Sequence, residues 1–308
     1  MDSWLSYLEK NSTDYLRPSS GYGDWMNVND ETPKDLIATA FFADSARTLE
    51  KVARALNKDS RRYADLYANI RNAFNRAFVL SDGRLKTDTQ TAYALALTMD
   101  LLPAASRKSA ADRLVQLIKD KNWHLSTGFL GTPRLLPALS EAGHADVAYR
   151  LLLQNSYPSW GYQISKGATT MWERWDGIRP DGSFQDKVMN SFNHYAYGAI
   201  GEWMYQNIAG IRPVAPGFRR FVVRPIPGGE VHSANARYRS GYGTIAVRWN
   251  EGSDQGELFV SIPVNTSAEI WVPNRGGSVQ SDGANFVRTE PGYSVYEAGS
   301  GNYRFTIH

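Results

Sequence analysis

The residue with the clearest capacity for chemistry is Glu173, in the segment ATTMWERWDG that covers residues 168–177. Its side chain stands between two tryptophans, Trp172 and Trp175, in a stretch with few other charges. A carboxylate beside indole rings is partly desolvated and would lie at the edge of any ring stacked there. The sequence therefore predicts an acid–base role for Glu173. The alternative is a helix N-terminus, where the helix dipole favours glutamate and the tryptophans pack.

Other polar residues could share such a site. Asp24 and Trp25, in YGDW, are either a ligand contact or a capped turn, and His194, in FNHYAYG, is either a ligand contact or a structural group. Asp88, in KTDTQTAY, is predicted to cap a helix. The sequence contains no HExxH, phosphate-loop or GxSxG motif and no carboxylate cluster with metal spacing. No metal or other cofactor is therefore predicted.

Composition narrows the classes of protein and partner. The 308 residues are 42% hydrophobic, and they include 9 Trp and 17 Tyr, a set suited to stacking on sugar rings. A net charge of +3 without a basic cluster predicts no nucleic-acid partner, and no apolar run reaches the length of a membrane span. The absence of cysteine leaves the compartment open; the localisation is unknown, with the cytoplasm slightly favoured, since N-terminal signals would lie outside this chain.

Two kinds of periodicity divide the chain. Over residues 1–212 apolar residues recur every three or four positions, which predicts paired helices, the last of them over 191–211. After RPVAPG the period is two, which predicts an antiparallel β-sandwich over 213–308. Polar, aromatic and Gly-containing inserts alternate with plainer connections in the helical part. Loops gathered on one face of a helical toroid would show this alternation and would bring the inserts together.

Several segments in order carry a resemblance to a known family. They are YGDW, TPKDLIATAFFADSARTL, DTQTAYALAL, WHLSTGFLGTPRLLPALSEAGHADVAYRLLLQ, YPSWGYQISKGATTMWERWDG, SFNHYAYGAIGEWMY and GFRRFVVRPIPGG. Together they resemble bacterial α-L-rhamnosidases of glycoside hydrolase family 78, from about residue 1 to residue 273. The resemblance implies an (α/α)6 barrel followed by a C-terminal β-sandwich, and inverting hydrolysis of terminal α-L-rhamnosides.

The resemblance also implies roles for particular residues. Glu173 falls at the position of the general base, which activates the attacking water, and His194 and Trp25 fall where family members contact rhamnose. Trp172, Trp175 and Asp24 are predicted to complete the sugar-binding surface. The implied partners are rhamnose-containing glycosides or oligosaccharides.

The general acid that an inverting mechanism requires is not matched by any segment of this chain. About eight periodic helical segments precede residue 213, whereas a closed (α/α)6 toroid has six pairs. We therefore expect an incomplete barrel, the C-terminal part of a rhamnosidase, which is weak or inactive alone. The open edge of such a barrel would expose apolar helix flanks, so self-association is also expected.

Two other functions remain open on the sequence. One is a different (α/α)6 sugar enzyme, either an inverting glycosidase or a polysaccharide lyase. The other is a non-catalytic carbohydrate-binding or scaffold module, in which Trp25, Trp172 and Trp175 only stack on sugars. Turnover of an aryl α-L-rhamnoside would separate both from the rhamnosidase prediction.

Overall fold

The computed structural model describes residues 1–252, 255–274 and 276–308, and it divides into two compact units, Met1–Ala199 and Ile200–His308. The division lies N-terminal to the boundary expected after residue 212, and that boundary stays a prediction. The first unit contains α1 (Asp2–Lys10), α2 (Lys34–Ala55), α3 (Arg61–Phe78), α4 (Gln90–Thr98), α5 (Ala104–Asp120), α6 (Thr132–Glu141), α7 (Ala145–Leu152), α8 (Trp160–Ser165) and a 3₁₀ turn over Ala196–Ala199.

The helices of the first unit pack as antiparallel neighbours joined by short connections, as the sequence predicts. Helix α2 packs on α3, α4 on α5 and α6 on α7. Helix α4 lies at the centre, because every residue from Gln90 to Leu97 is buried. Its sequence QTAYALAL is apolar nearly all round, which is the pattern of a helix enclosed by its neighbours.

Helix α4 begins at a different cap from the one predicted. Thr89 is the N-cap residue, and its side chain accepts a hydrogen bond from the amide of Ala92. Asp88, the expected cap, instead accepts hydrogen bonds from the guanidinium of Arg113. Both residues suit a helix start, but only Thr89 stands at the point where the backbone changes from extended to helical.

The second unit begins with α9 (Ile200–Trp203) and a π-helical turn (Met204–Ile208). The helix expected over 191–211 is shorter than predicted: helical turns run without a gap from Ala196 to Ile208 and pass from 3₁₀ to α to π type. Residue 211 already belongs to a strand.

Ten strands follow among the described residues, in two five-stranded sheets. They are β1 (Ile211–Pro213), β2 (Arg220–Val223), β3 (Ser233–Ser240), β4 (Gly243–Asn250), β5 (Gly256–Ile262), β6 (Ser267–Pro273), β7 (Val279–Ser281), β8 (Asn285–Glu290), β9 (Tyr293–Ala298) and β10 (Gly301–Ile307). The sheet orders are β1-β2-β6-β9-β8 and β3-β4-β5-β10-β7. All described pairs are antiparallel except β2 with β6. Tyr296 on β9 meets Phe305 on β10 with ring centroids 5.0 Å apart, so the two sheets share an aromatic core.

The expected fold class, a helical region followed by a β-domain of two sheets, is confirmed. The parallel pair of β2 and β6 is the one departure from the antiparallel sandwich that the strand spacing predicts. Within the described residues no helix is both long and apolar enough to cross a bilayer.

Candidate active site

The segment around Glu173 is an irregular loop, and no described residue from 168 to 177 is helical. The alternative reading of Glu173 as part of a helix N-terminus is therefore excluded. The loop runs alongside residues 191–194: the amide of Glu173 donates to the carbonyl of Ser191 at 2.8 Å, and the amide of His194 donates to Met171 at 2.8 Å. These two bonds fix the backbone on each side of the tryptophan Trp172.

The Glu173 carboxylate is held through one oxygen. The amide of Ser191 donates to Oε2 at 2.9 Å. Among the residues that the structure describes, Oε1 has no hydrogen-bond partner, and the side chain is half-buried. One oxygen thus orients the group while the other can accept a proton.

The charges next to Glu173 are paired with each other. The Nε of Arg174 lies 3.0 Å from Asp176, and the side-chain amide of Gln185 also donates to Asp176. Because the Arg174 guanidinium is paired with Asp176, it does not neutralise the charge of the neighbouring Glu173.

Asp176 also affects Tyr157. Burial, followed by the charge of Asp176, raises the pKa of Tyr157 to about 12.

The two flanking tryptophans belong to the core of the helical unit. Trp172 is 3% exposed and packs edge-on against Phe192, with ring centroids 4.9 Å apart. Trp175 is 2% exposed and stacks on Tyr197 at 3.9 Å, and its Nε1 donates to the carbonyl of Thr127 at 3.1 Å. Burial raises the pKa of the Tyr197 hydroxyl, and the charge of Asp24 adds to the shift. The buried rings hold the Glu173 loop in place.

Trp25, in contrast, is 47% exposed, while its backbone is fixed on both sides. Its carbonyl accepts a hydrogen bond from the amide of Phe129 at 2.9 Å. The next carbonyl, that of Met26, accepts from the Tyr197 hydroxyl at 3.0 Å, and Met26 has a φ of 59°. A positive φ at a residue other than glycine is costly, so surrounding contacts must maintain this turn. The result is an exposed indole on a rigid base.

Asp24 is buried, with only 2% of its surface exposed. Its Oδ1 accepts from the amides of Leu130 at 2.7 Å and Gly131 at 3.0 Å. Its Oδ2 accepts from the amide of Gly128 at 2.8 Å and from the Thr91 hydroxyl. Both oxygens of the carboxylate that the sequence predicts as a sugar contact are therefore hydrogen-bonded to groups of the protein itself.

His194 lies in a short aromatic stack. Its ring is 4.8 Å from that of Phe129 and 4.9 Å from that of Tyr195, both in stacked orientation. The amide of Ala196 donates to Nδ1 at 3.2 Å. In the neutral ring Nδ1 is then the acceptor, which puts the proton on Nε2 and makes that nitrogen a donor.

Phe129 is the site residue that sequence reasoning missed. It connects Trp25, through its amide, to His194, through its ring. The sequence feature that could have indicated Phe129 is its place between two glycines in STGFLGTP. Glycines in such a segment are typical of a loop that approaches another backbone closely. Among the described residues no group of three or more histidines or acidic residues is arranged to hold a metal ion.

The structure thus joins the predicted residues through one set of contacts. Trp175 stacks on Tyr197, whose hydroxyl donates to the carbonyl of Met26. Asp24 and Trp25 accept hydrogen bonds from the loop that carries Phe129. The ring of Phe129 in turn stacks on His194. The candidate site therefore consists of a carboxylate with one oxygen unpartnered among the described residues, an oriented imidazole and an exposed indole, groups that suit the glycoside hydrolase class expected from the sequence.

Comparison with known proteins gives the same class and specifies the family. Residues 1–208 match the model of the bacterial α-L-rhamnosidase six-hairpin glycosidase domain, and residues 210–286 match that of the bacterial α-L-rhamnosidase C-terminal domain. The chain belongs to the bacterial α-L-rhamnosidase family of glycoside hydrolases.

Individual relatives support this membership. The chain is 59% identical over 306 residues to an α-L-rhamnosidase of Streptomyces avermitilis, an alignment that covers 99% of this chain and 30% of that protein. An α-L-rhamnosidase of Formosa agariphila is 40% identical over 299 residues, covering 93% of this chain and 32% of the relative. The chain therefore spans about a third of the length of these curated relatives.

Solved structures are also similar. The crystal structure of the Streptomyces avermitilis α-L-rhamnosidase complexed with L-rhamnose superposes with a TM-score of 0.98 at 59% identity, covering 100% of this chain and 30% of that one. The native α-L-rhamnosidase from Aspergillus terreus gives a TM-score of 0.86 at 31% identity, covering 100% of this chain and 36% of that one.

Proposed function

We propose that this chain forms the general-base side of an α-L-rhamnosidase active site and that Glu173 is the base. The observation that carries the proposal is the Glu173 carboxylate, fixed by the Ser191 amide at 2.9 Å on one oxygen and open on the other. Family membership supports the reaction class, and a 59% identical relative has been solved with L-rhamnose. The domains that we propose are 1–212 for the partial barrel and 213–308 for the β-sandwich.

In an inverting hydrolysis, Oε1 of Glu173 would take a proton from a water molecule. The water oxygen would bond to the anomeric carbon as the glycosidic C–O bond breaks on the opposite face of the sugar. The departing oxygen would receive its proton from a general acid, about 6.5–9.5 Å from the base. The Ser191 amide keeps the base oriented throughout, so little reorganisation is needed when the proton moves.

Trp25 and His194 are proposed to hold the sugar. The exposed indole of Trp25 offers an apolar face to the C–H side of a pyranose ring. The Nε2–H of His194 is available to a sugar hydroxyl, because Nδ1 accepts from the Ala196 amide. Trp172 and Trp175 are proposed to act from the core, by holding the Glu173 loop rather than by stacking on the sugar.

We further propose that the chain alone is weak or inactive as a rhamnosidase. No segment of it matches the family's general-acid motif, and loss of a general acid commonly costs about 10²–10⁴ in rate. Binding of a sugar to Trp25 and His194 does not need that acid. The expected behaviour is therefore weak binding of L-rhamnose with little turnover.

The test compares Glu173→Gln with Glu141→Gln, an exposed carboxylate at the end of α6. Hydrolysis of an aryl α-L-rhamnoside and binding of L-rhamnose are measured for both variants and the unaltered chain. We expect E173Q to remove whatever turnover is present and to keep binding, while E141Q changes neither. Rapid turnover that E173Q abolishes would overturn the inactivity proposal but support the base assignment. Turnover unaffected by E173Q would overturn the base assignment.

The competing functions predict different results when the chain and the substrates are varied. Binding of L-rhamnose without any turnover, in a chain to which the rest of the barrel has been added, would favour a non-catalytic carbohydrate-binding module. Cleavage of uronate polymers or of other aryl glycosides in preference to rhamnosides would favour a lyase or another glycosidase.

A further inference from the structure

The buried carboxylate of Asp24 accepts hydrogen bonds from four donors, two on each oxygen. It is 2% exposed, and among the described residues no basic side chain contacts it. Its charge is balanced instead by three backbone amides and one hydroxyl, from Gly128, Leu130, Gly131 and Thr91. Successive amides that converge on one anion form a concave site in which each hydrogen bond is charge-assisted. Removal of the charge would leave several buried donors without a partner.

This anchor is adjacent in the chain to the exposed indole of Trp25, and its amide donors flank Phe129, whose ring stacks on His194. Trp25 is the next residue along the chain, and Phe129 stands between the amide donors Gly128 and Leu130. The two loops also bond directly, through the Phe129 amide and the Trp25 carbonyl at 2.9 Å. The approach is so close that a Cβ at Gly128 would lie 2.1 Å from that carbonyl oxygen.

The loop of residues 128–131 also supports the ring of His194. The ring of Phe129 stacks on the imidazole at 4.8 Å, and its edge meets Tyr197 at 5.4 Å. If the loop moved away from Asp24, the ring of Phe129 would move from beneath His194. One buried carboxylate therefore fixes both Trp25 and the support of His194, although it touches neither ring.

We propose that Asp24 is a positioning residue of the sugar site, a role that rests on the proposed function of Trp25 and His194. It sets the distance between the two rings by clamping the loop of residues 24–28 to the loop of residues 128–131. It makes no contact with the sugar itself, because its oxygens are enclosed by the four donors.

The first measurement needs no sugar. The chain is labelled with 5-fluorotryptophan, so that its 9 tryptophans give separate ¹⁹F resonances, and Trp25→Phe identifies the signal of Trp25. In Asp24→Asn the amide nitrogen cannot accept hydrogen bonds, so at least one backbone donor loses its partner. We expect the Trp25 resonance to shift and broaden, while the buried tryptophans Trp160 and Trp172 keep theirs.

The matched control is Asp30→Asn. Asp30 is a largely enclosed carboxylate, with 10% of its side chain exposed, and its Oδ2 accepts from the Gln90 amide at 3.1 Å and the Ser126 hydroxyl at 2.6 Å. Unlike Asp24 it also has a basic partner, Lys121, whose Nζ lies 3.5 Å from Oδ1. Its partners are not adjacent to Trp25 or Phe129. We expect D30N to lower stability without moving the Trp25 resonance, which separates positioning from general destabilisation.

A second variant covers the case in which D24N fails to fold. Thr91→Val removes one donor from Asp24, keeps the three backbone amides and preserves the shape of the side chain. Its Trp25 resonance should shift in the same direction as in D24N, by a smaller amount. An unmoved Trp25 resonance in T91V and in folded D24N would overturn the proposal, as would an equal shift in D30N.

The second measurement is a titration with L-rhamnose. We expect the Kd to rise about tenfold in D24N and to stay unchanged in D30N, because a displaced ring loses its contact with the bound sugar. If the unaltered chain binds no L-rhamnose, the proposed function fails, while the ¹⁹F result still decides whether Asp24 positions Trp25. A moved Trp25 resonance with an unchanged Kd would overturn the link between Asp24 and sugar binding.

Discussion

Gly128 gives the sharpest test of the close approach between the two site loops. A Cβ built on Gly128 would lie 2.1 Å from the carbonyl oxygen of Trp25, 2.7 Å from that of Asp24 and 2.8 Å from the amide nitrogen of Asn27. All three atoms belong to the backbone, so no flexible side chain can move aside. Gly128→Ala must therefore separate the loops.

The expected cost can be worked from the contacts that would break. Overpacking in a close-packed region costs about 1–3 kcal/mol. The bond from the Gly128 amide to Asp24 and the bond from the Phe129 amide to Trp25 would both lengthen, at about 1 kcal/mol each. We expect G128A to lower the free energy of unfolding by about 3 kcal/mol or more. In a unit of this size that is a fall in Tm of about 6–12 °C.

The assay is thermal unfolding followed by circular dichroism, together with the ¹⁹F resonance of Trp25. Gly201→Ala is the matched control, since a Cβ there has no atom within 4 Å and the residue lies in α9. Alanine is a better helix former, so G201A should leave the Tm unchanged or raise it slightly. A stable G128A with an unchanged Trp25 resonance would refute the reasoning, because the loops could not then be in contact.

Three further outcomes are expected. Thr89→Ala, which removes the cap of α4, should cost about 1 kcal/mol of stability in chemical denaturation, and a neutral effect would contradict the cap assignment. The hydrogen bond from Arg113 lowers the pKa of Asp88 in the folded state, so its contribution is present above the unfolded pKa and lost as the pH falls through the folded pKa. The stability difference between the unaltered chain and Asp88→Asn should therefore close below about pH 4, and a difference independent of pH would contradict this. Trp4 and Tyr7, which are 58% and 53% exposed and stacked at 5.5 Å on α1, should drive self-association, so a Trp4→Ser/Tyr7→Ser variant should sediment with a lower apparent mass.

Most of the fold follows from local patterns in the sequence. The three-and-four spacing of apolar residues in 35–56 and 60–79 corresponds to α2 and α3 with each end shifted by one residue. The alternation in 233–240 and 267–273 gives β3 and β6 with the bounds observed. These elements bury one face, and burial of one face requires a period that is visible in the sequence.

Elements too short to show such a period are not predicted from the sequence. Helix α8 has six residues and is set by its cap, the side chain of Ser159, which accepts from the Tyr162 amide. Strands β1 and β7 have three residues each, too few to show an alternation. The parallel pairing of β2 with β6 depends on where the intervening strands go, and that is a property of the whole sheet.

The candidate site could be predicted only in part, as a set of residues but not as a set of contacts. Residue type and setting made Glu173, Trp25 and His194 candidates, and the family resemblance gave them their roles. Those assignments stay predictions until the variants are measured. The contacts of Asp24 could not be inferred, because three of its four donors are backbone amides about a hundred positions away in the sequence. A backbone donor leaves no side-chain signature, so an aspartate that binds amides looks the same in sequence as one that binds a ligand.

The tryptophans beside Glu173 show why neighbours in sequence are a poor guide to neighbours in a site. Trp172 and Trp175 point into the core, and the exposed indole is that of Trp25. Buried rings and a half-buried carboxylate can follow one another because the segment is an irregular loop of bends and turns, so its side chains are not held to one face. The rings contribute burial that fixes the loop against Tyr197 and Phe192, and these contacts restrict the backbone that carries Glu173. The exposed indole that we propose as the sugar contact therefore lies on a loop near the start of the chain, and not beside Glu173 in the sequence.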